Sequence, residues 1–417
     1  MPSVSSKYLS PAILPIVAAM IALMACGVLA VQTAERADPR VLAGYTSKQV
    51  AFSVLAVCGF LLASLVPYSR IGQMAYGLFI LTLGLLVLVL FLPPIRECRR
   101  WIDIKIFLVQ PSELAKLSFI LALAWYLRYR QNYRTVLGLI PPFLLTVLPV
   151  VLILREPDLG TSLLLFPILF FMIFLAGAKL RHLLSVIAAA VLLTFLPVVQ
   201  DVTDLPAADA ADRQALSYWS YASAGRRRVV IAAPLALMKY YQLSRVDGWL
   251  RQADPRIAMT KGYHVHQSIV FLGSGGLSGR TEEQDSGMHL RMLPEDQTDF
   301  IFTVVGGQWG FLGGLGVLAL YGVILACGGF IAATSEDAFG RLVAVGVLAL
   351  LSAQVFVNVG MTIGLLPVTG MTLPLVSYGG SSMVVNGLAL GLLANVGMRR
   401  RAIFGKQPFE FSDDTGS

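Results

Sequence analysis

The residues best suited to chemistry are a few ionisable side chains inside or beside long apolar runs. A charged group at membrane depth is costly, so it is a candidate for function before other residues are considered. These side chains are Glu113, Lys116, Arg155, Glu156, Asp158 and Asp299. We therefore expect a catalytic or binding site to use members of this short set.

Asp299 lies where a polar segment becomes an apolar run, in the sequence Thr298-Asp299-Phe300-Ile301. Loss of water around a carboxylate disfavours its ionised form unless a cation or a hydrogen-bond donor compensates. A carboxylate in such a position is suited to act as a general base. The alternative is a structural carboxylate at a helix start, whose ionised form the helix dipole would favour.

Glu113, Lys116 and Asp158 each stand near a predicted helix start. Gln110-Pro111-Ser112-Glu113 is typical of a first helical turn, because proline is accepted there. Glu113 and Lys116 are three residues apart, so they can pair with each other or with a substrate. An ion pair with only a structural role is an alternative of equal weight to a role in substrate binding. Asp158 is more simply interpreted as the N-cap of the following helix.

The elements that must position these residues are apolar runs of membrane-spanning length. Hydrophobic residues occupy 56% of the 417 positions and charged residues 13%, with a mean hydropathy of +0.73. A soluble domain carries about 25% charged residues. The sequence therefore predicts an all-α polytopic membrane protein, a single domain over residues 1–417 with about ten spanning helices. The predicted spans are 12–32, 49–67, 72–93, 112–127, 136–154, 160–178, 183–199, 301–333, 342–363 and 375–398.

The distribution of basic residues predicts the orientation. An even number of spans places both termini on one side, and Arg399-Arg400-Arg401 after the last span indicates the cytoplasm. The short basic loops around Arg128 and Lys179 then also fall on the cytoplasmic side, where basic residues are usually concentrated. The loop from 96 to 105, which carries Arg99 and Arg100, falls on the outer side. We interpret this exception as either a topology error or a site that binds an anion.

Net charge and cysteine use limit the possible partners. The net charge is +8, but the basic residues flank apolar runs, which favours membrane lipids and argues against nucleic acid. Cys26, Cys58 and Cys327 lie in apolar runs and Cys98 stands alone in a loop. This spacing indicates neither a disulfide framework nor a metal site. The first apolar run lacks a convincing cleavage site and is expected to be a retained span.

Residues 200–300 form one large polar loop between the seventh and eighth predicted spans. Long loops are usually functional or disordered, and we expect one half of each kind. The first half, 200–238, is rich in Ala and Asp and carries Arg226-Arg227-Arg228, so we expect disorder there. The half after Tyr240 carries apolar residues such as Trp249, and we expect it to fold against the membrane.

Two segments are rich in glycine. Gly273-Ser274-Gly275-Gly276 is a turn whose N–H groups could approach phosphate, although most such turns are only turns. Residues 358–382 combine Gly, Pro, Thr and Ser at membrane depth. Such backbone is tolerated only where it is buried or lines a polar cavity. Close helix packing by small residues is the competing interpretation.

Several longer motifs follow one another in a fixed order. They are Arg100-Trp101-Ile102, 110–117, 157–161, Tyr241-Gln242, Gly262-Tyr263, Gln267-Ser268, 273–276, Leu293-Pro294-Glu295, 298–302, 364–370 and 377–382. Together they resemble the SEDS family of cell-shape, division and sporulation proteins. The resemblance implies the SEDS fold, with ten spans and a large extracytoplasmic loop.

The resemblance also implies an activity and its partners. SEDS proteins are inverting peptidoglycan glycosyltransferases that polymerise lipid II, the undecaprenyl-diphosphate-linked disaccharide pentapeptide, at the outer face of the bacterial cytoplasmic membrane. They work with a class B penicillin-binding transpeptidase in cell elongation, shape or division. The resemblance makes Asp299 the catalytic carboxylate. The expected substrate-binding residues are Arg100, Trp101, Glu113, Lys116, Arg155, Asp158, Ser377, Tyr378 and Ser381.

The chemistry implied by the resemblance needs one base. A lipid diphosphate is already a good leaving group, so the general acid of glycosidases is not required. Asp299 would take the proton of the acceptor's 4-hydroxyl as that oxygen attacks the donor's anomeric carbon. No organic cofactor is expected. The cations expected to gather the diphosphate charge are Arg99, Arg100, Lys116, Arg155 and a divalent ion, Mg²⁺ or Mn²⁺.

The chain departs from the family pattern in three places. Gly307-Gln308 stands where the family usually carries a Glu-Glu pair, and Gln297 stands where His is frequent. Residues 200–238 resemble an insertion. A lipid II transporter is one alternative function, although no inverted repeat is evident. A non-catalytic scaffold for the transpeptidase is the other, against which the retained Asp299 and Glu113 argue.

Overall fold

The computed structural model describes most of the chain. The described residues are 11–37, 44–95, 98–104, 108–128, 135, 137–156, 158–194, 197–201, 220–223, 226–232, 240–252, 254, 260, 262–279 and 297–399. Helices dominate this part of the chain, so the predicted all-α membrane fold is confirmed at the level of its class.

Each predicted span overlaps a helix of the structure, while the number of helices that cross the membrane stays a prediction. The helices are α1 (Ile13–Ala37), α2 (Tyr45–Leu65), α3 (Tyr68–Gln73), α4 (Ala75–Phe91), α5 (Pro111–Leu127), α6 (Ile140–Arg155), α7 (Leu159–Leu175), α8 (Leu180–Thr194), α9 (Tyr240–Leu250), α10 (Tyr263–Ser274), α11 (Ile301–Thr334), α12 (Ala338–Thr362) and α13 (Gly380–Met398). Within the described residues, 6 helical segments are long and apolar enough to cross a membrane. They lie in α1, α2, α6, α11, α12 and α13, while α4 and α7 are shorter apolar helices.

Short strands occur in two places between the helices. Strands β1 (Ile102–Asp103) and β2 (Leu108–Val109) form an antiparallel hairpin before α5. Strands β3 (Pro197–Asp201), β4 (Ser220–Ser223) and β5 (Arg226–Ala232) form an antiparallel sheet in the order β3-β5-β4. Where these strands lie, the expectation of disorder is wrong. Val199 pairs with Val230, and β-branched residues of this kind favour strands.

The centre of the bundle is formed by helices that are buried on nearly every side. Almost every residue of α5 and α13 is buried, as expected for helices surrounded by other helices. Helix α13 packs on α2 through Gly387 and Gly391. A Cβ at Gly387 would collide with the backbone of Ala56, and a Cβ at Gly391 would collide with that of Phe60. Small residues therefore allow these two helices to approach closely.

Helix α11 is kinked at Gly310. This residue has φ 67° and ψ −168°, a conformation open in practice only to glycine. Beyond the kink, the N–H of Phe311 donates to the carbonyl of Gly276 at 2.9 Å, and that of Leu312 donates to Leu277 at 3.1 Å. The glycine turn after α10 thus caps a broken helix, which favours the structural interpretation of this turn over a phosphate cradle.

Candidate functional site

Several predicted site residues stand at or just before helix starts that meet at one end of the bundle, which we call the site end. Glu113 is in the first turn of α5, and Asp158 is the N-cap of α7. Phe300 is the N-cap of α11, and Asp299 comes directly before it. Ser377 lies in the loop just before α13. Helix starts present unpaired N–H groups, so polar side chains at these positions have local donors to bind.

The backbone of Asp299 is held from α12. The side-chain amide of Asn358 donates to the carbonyl of Asp299 at 2.9 Å and to that of Met371 at 2.6 Å. Asn358 is fully buried. One buried amide therefore ties the turn that carries Asp299 to the loop between α12 and α13.

The same loop holds the Asp299 turn at two further points. The Ser377 hydroxyl donates to the carbonyl of Thr298 at 2.6 Å and accepts the N–H of Leu373 at 2.7 Å. The N–H of Tyr378 donates to the carbonyl of Gln297 at 2.9 Å. The geometry gives Ser377 and Tyr378 a positioning function, and their predicted role in substrate binding stays a prediction.

The Asp299 carboxylate faces Gly370, and a cation lies at the same place. A Cβ built on Gly370 would lie 3.4 Å from Oδ2 of Asp299 and 3.7 Å from Nη1 of Arg245. Gly370 has φ 75°, so a side chain is disfavoured there by conformation as well. The carboxylate and the guanidinium therefore flank one glycine of the loop between α12 and α13.

Asp158 is saturated with hydrogen-bond donors. It accepts from the N–H of Thr161 at 3.0 Å and from the Thr161 hydroxyl at 2.8 Å. Gln110 Nε2 donates to it at 2.9 Å and Ser112 Oγ at 3.1 Å. The structural interpretation of Asp158 as an N-cap is confirmed, and the same carboxylate also joins the start of α7 to the start of α5.

The loop between α12 and α13 connects this junction with Asp299. A Cβ on Gly160, in the first turn of α7, would lie 2.6 Å from Met371 Cγ and 2.9 Å from the carbonyl of Thr369. Gly370, between those two residues, faces Asp299. The Asp158 junction and the catalytic candidate are thus separated by a single loop segment.

Glu113 and Lys116 form a buried ion pair. Lys116 Nζ lies 2.8 Å from Glu113 Oε1, and Lys116 and Glu113 are 1% and 6% exposed. Among the described residues, Glu113 Oε2 has no hydrogen-bond partner. The pair therefore satisfies itself only in part, and a buried pair of this kind is destabilised strongly by loss of one member.

Glu156 is buried near Asp158, which joins α5 and α7. Neither carboxyl oxygen of Glu156 has a hydrogen-bond partner among the described residues. Burial, and then the charge of Asp158, raise the pKa of Glu156 to about 9, against a smaller lowering by Arg100. Glu156 is therefore a neutral acid near pH 7. The Arg100 guanidinium is half-buried and lies 6.0 Å from the centre of the Trp101 ring.

The remaining predicted residues lie around the β1–β2 hairpin and the end of α6. Arg99 and Arg155 are exposed. The Ser381 hydroxyl donates to the carbonyl of Leu108 at 2.8 Å and accepts the N–H of Gln110 at 3.0 Å. Ser381 therefore fixes the hairpin against α13, and its role in substrate binding stays a prediction.

The described residues do not fit a metal site built by the protein. No group of three or more His, Cys, Asp or Glu side chains comes together in the described part of the chain. Asp158 already accepts from four donor atoms, and Glu113 is paired with Lys116. The cysteines Cys26, Cys58, Cys98 and Cys327 are free.

The missing Glu-Glu pair has a packing explanation. A Cβ at Gly307 would collide with the ring of Phe271, and a Cβ at Gly306 would collide with the side chain of Leu272. Phe271 is 1% exposed. Helix α10 therefore occupies the space beside α11 that a glutamate at 307 would need.

Arg245 and Asn358 are the site residues that sequence reasoning missed. Asn358 lies 59 residues from Asp299 in the chain, and nothing local to either residue indicates their contact. Arg245 had a weak signal, because it follows the motif Tyr241-Gln242 by one helical turn. A lone arginine in a polar loop is otherwise typical of a solvated position.

Comparison with known proteins identifies the family. A family model described as "Cell cycle protein" (FTSW_RODA_SPOVE) matches residues 12–205 and 213–402. The unmatched residues between these segments lie inside the stretch 200–238 that resembles an insertion.

Individual relatives agree over most of the chain. The chain is 32% identical to "Peptidoglycan glycosyltransferase RodA" of Treponema pallidum (strain Nichols), over 91% of this chain and 96% of that protein. It is 32% identical to "Stage V sporulation protein E" of Bacillus subtilis (strain 168), over 84% of this chain and 86% of that protein.

A solved structure extends the agreement to the fold. It is described as "Structural coordination of polymerization and crosslinking by a peptidoglycan synthase complex". One of its chains matches with a TM-score of 0.72 and 29% identity, over 93% of this chain and 98% of that chain. The chain therefore belongs to the FtsW/RodA/SpoVE family of cell cycle proteins, the SEDS family that its motifs resemble.

Proposed function

We propose that this chain is a peptidoglycan glycosyltransferase that polymerises lipid II, with Asp299 as its general base. The observation that supports this most is the fixed position of Asp299. Its turn is bound by Asn358 and Ser377, and its carboxylate faces a glycine at the site end. A base must be held in place to act on a bound hydroxyl.

The proposed reaction is a single displacement. Asp299 takes the proton of the acceptor's 4-hydroxyl while the oxygen forms a bond to the anomeric carbon of the donor. The bond from that carbon to the lipid diphosphate breaks, and the diphosphate leaves with the electron pair. Because attack and departure occur on opposite faces of the sugar, the configuration at the anomeric carbon inverts.

The leaving diphosphate requires positive charge. Arg99 and Arg155 are exposed, and Arg100 is half-buried against Trp101. We assign the diphosphate to these arginines, whose planar guanidinium groups suit phosphate oxygens. Lys116 would have to exchange Glu113 for the phosphate in order to join them.

The proposed location and partner come from the family. A multi-pass position in the bacterial inner membrane agrees with the apolar helices. Both termini would be cytoplasmic, which places the site end outside. The similar chain from a peptidoglycan synthase complex supports a class B penicillin-binding transpeptidase as partner.

The test is a polymerisation assay with purified chain and lipid II, in the presence and absence of the transpeptidase. Glycan polymer is the expected product, and arms with Mg²⁺, Mn²⁺ or a chelator measure the dependence on a divalent ion. Movement of fluorescent lipid II across a liposome membrane without polymer would instead support the transporter. Transpeptidase binding without either activity would support the scaffold.

A further inference from the structure

Helix α9 of the large loop is docked on the loop between α12 and α13. Trp249 Nε1 donates to the carbonyl of Gly364 at 3.0 Å, and Gln252 Nε2 donates to the same carbonyl at 3.2 Å. Gly364 begins the stretch that reaches Gly370, the residue that faces Asp299. A helix distant in sequence from α12 is therefore attached to the loop that lines the catalytic candidate.

This docking determines where Arg245 lies. Arg245 precedes Trp249 by four residues in α9, so both side chains lie on the same helix face. Arg245 Nη1 lies 3.7 Å from the position of a Cβ on Gly370, and Asp299 Oδ2 lies 3.4 Å from it. The hydrogen bonds of Trp249 and Gln252 thus hold α9 where the guanidinium of the exposed Arg245 and the Asp299 carboxylate both lie near Gly370.

Other charged or titratable groups lie on α9 and α10. On α10, the ring of His264 stacks on Phe300 at 6.4 Å, one residue from Asp299. On α9, Asp247 is paired with Arg251 at 3.3 Å. A cation next to a carboxylate favours the ionised form, and arginine keeps its charge at any pH at which an enzyme works.

We propose that Arg245 is a positioning residue for the reaction, which keeps the Asp299 carboxylate ionised and oriented as a base. The inference rests on the proposed function, since it requires Asp299 to accept a proton. Helix α9 then carries the cation to the site end and fixes it there through Trp249 and Gln252.

The test is the pH dependence of lipid II polymerisation by Arg245→Gln, Arg245→Lys and the wild-type protein. Arg251→Gln is the matched control, because it removes a guanidinium from the end of α9 that pairs with Asp247. In Arg245→Gln the acid limb of the rate profile should move to higher pH by about 1 unit, with most of the rate kept at the alkaline end. Arg245→Lys should restore the wild-type limb, and Arg251→Gln should not change it.

Two results would overturn this role. An unchanged acid limb in Arg245→Gln would show that the guanidinium does not act through Asp299. Loss of activity at every pH would assign Arg245 to the substrate's diphosphate or to folding. Failure of the proposed function is distinguishable, because it would appear as absence of polymer from the wild-type protein or as full activity of Asp299→Asn.

Discussion

Glu113 and Glu156 are both buried at the site end, but only Glu113 has a cation within hydrogen-bond distance. The Glu113 carboxylate forms an ion pair with Lys116. Glu156 is neutral near pH 7 because its pKa is raised to about 9. The buried ion pair of Glu113 and the buried neutral carboxyl group of Glu156 have different consequences for stability.

Lys116→Met should strongly destabilise the protein. It leaves the Glu113 carboxylate buried without its cation, which costs about 3–5 kcal/mol. Addition of Glu113→Gln should recover most of this loss, since no charge is then buried. The measurement is thermal unfolding in detergent. Equal stability of Lys116→Met and the wild type would contradict the buried pair.

Glu156→Gln should stabilise the protein at alkaline pH. The folded chain keeps the Glu156 proton from the usual pKa of 4.5 up to about 9, while the unfolded chain releases it. The folded state thus binds more protons in this window, so stability falls as pH rises through it. The amide cannot ionise, so the variant should lack this fall.

The measurement compares the thermal midpoints of both proteins at about pH 5 and pH 8, across the window in which Glu156 titrates. The advantage of Glu156→Gln should grow by several degrees at the higher pH. A constant difference between the two proteins would show that Glu156 is ionised in the folded state.

Site residues were predictable where the neighbouring sequence itself marks them as unusual. The cost of charge in apolar runs indicates Asp299, Glu113 and Asp158, and the preference for N-cap carboxylates explains the last of these. Arg245 and Asn358 were not predicted. Their contacts depend on how distant helices pack, and no local pattern encodes that.

At the scale of elements, α2 and α13 approach each other closely. Gly387 and Gly391 leave room for the α2 backbone at Ala56 and Phe60. In a membrane, helices associate through packing of this kind, because lipid chains are as apolar as the side chains they replace.

Gly387→Ala should therefore destabilise the bundle by about 1–3 kcal/mol, because the new methyl group meets the rigid backbone of Ala56. Gly322→Ala in α11 is the matched control, since a Cβ there has open space. The control should be neutral or slightly stabilising. Thermal unfolding of both variants measures the difference, and equal midpoints would contradict the close contact.

The helices were predictable because the length of an apolar run, and the charged, proline or glycine residues at its ends, can be seen in the local sequence. The sheet of β3, β4 and β5 was not predicted, since strand pairing joins segments that are far apart, such as those of Val199 and Val230. The seventh predicted span also continued to 199, whereas α8 ends at Thr194 and β3 begins at Pro197.

At the scale of the whole molecule, polar clusters occupy both ends of the bundle. Opposite the site end, Asp337 caps α12 through the N–H of Gly340 at 2.8 Å, and Arg399 binds the carbonyl of Leu65 at 2.8 Å. Burial raises the pKa of Asp337. The proposed orientation places this end in the cytoplasm.

Labelling of single cysteines tests that orientation. In a variant that keeps only Cys98, a membrane-impermeant maleimide should label right-side-out vesicles, because Cys98 lies in the loop before β1. Glu336→Cys in a chain without other cysteines should be labelled only in inside-out vesicles, because exposed Glu336 lies between α11 and α12. The reverse pattern would invert the topology.

The most direct test of the proposed chemistry is polymerisation of lipid II by Asp299→Asn, compared with the wild type and with Asp103→Asn. Asp103 is exposed in the β1–β2 hairpin, so its variant controls for a lost carboxylate at the same end. Loss of a general base costs about 10²–10⁴-fold in rate. We predict that Asp299→Asn is folded but makes no detectable glycan polymer, while Asp103→Asn polymerises normally. Polymer from Asp299→Asn at the wild-type rate would contradict the assignment of the base.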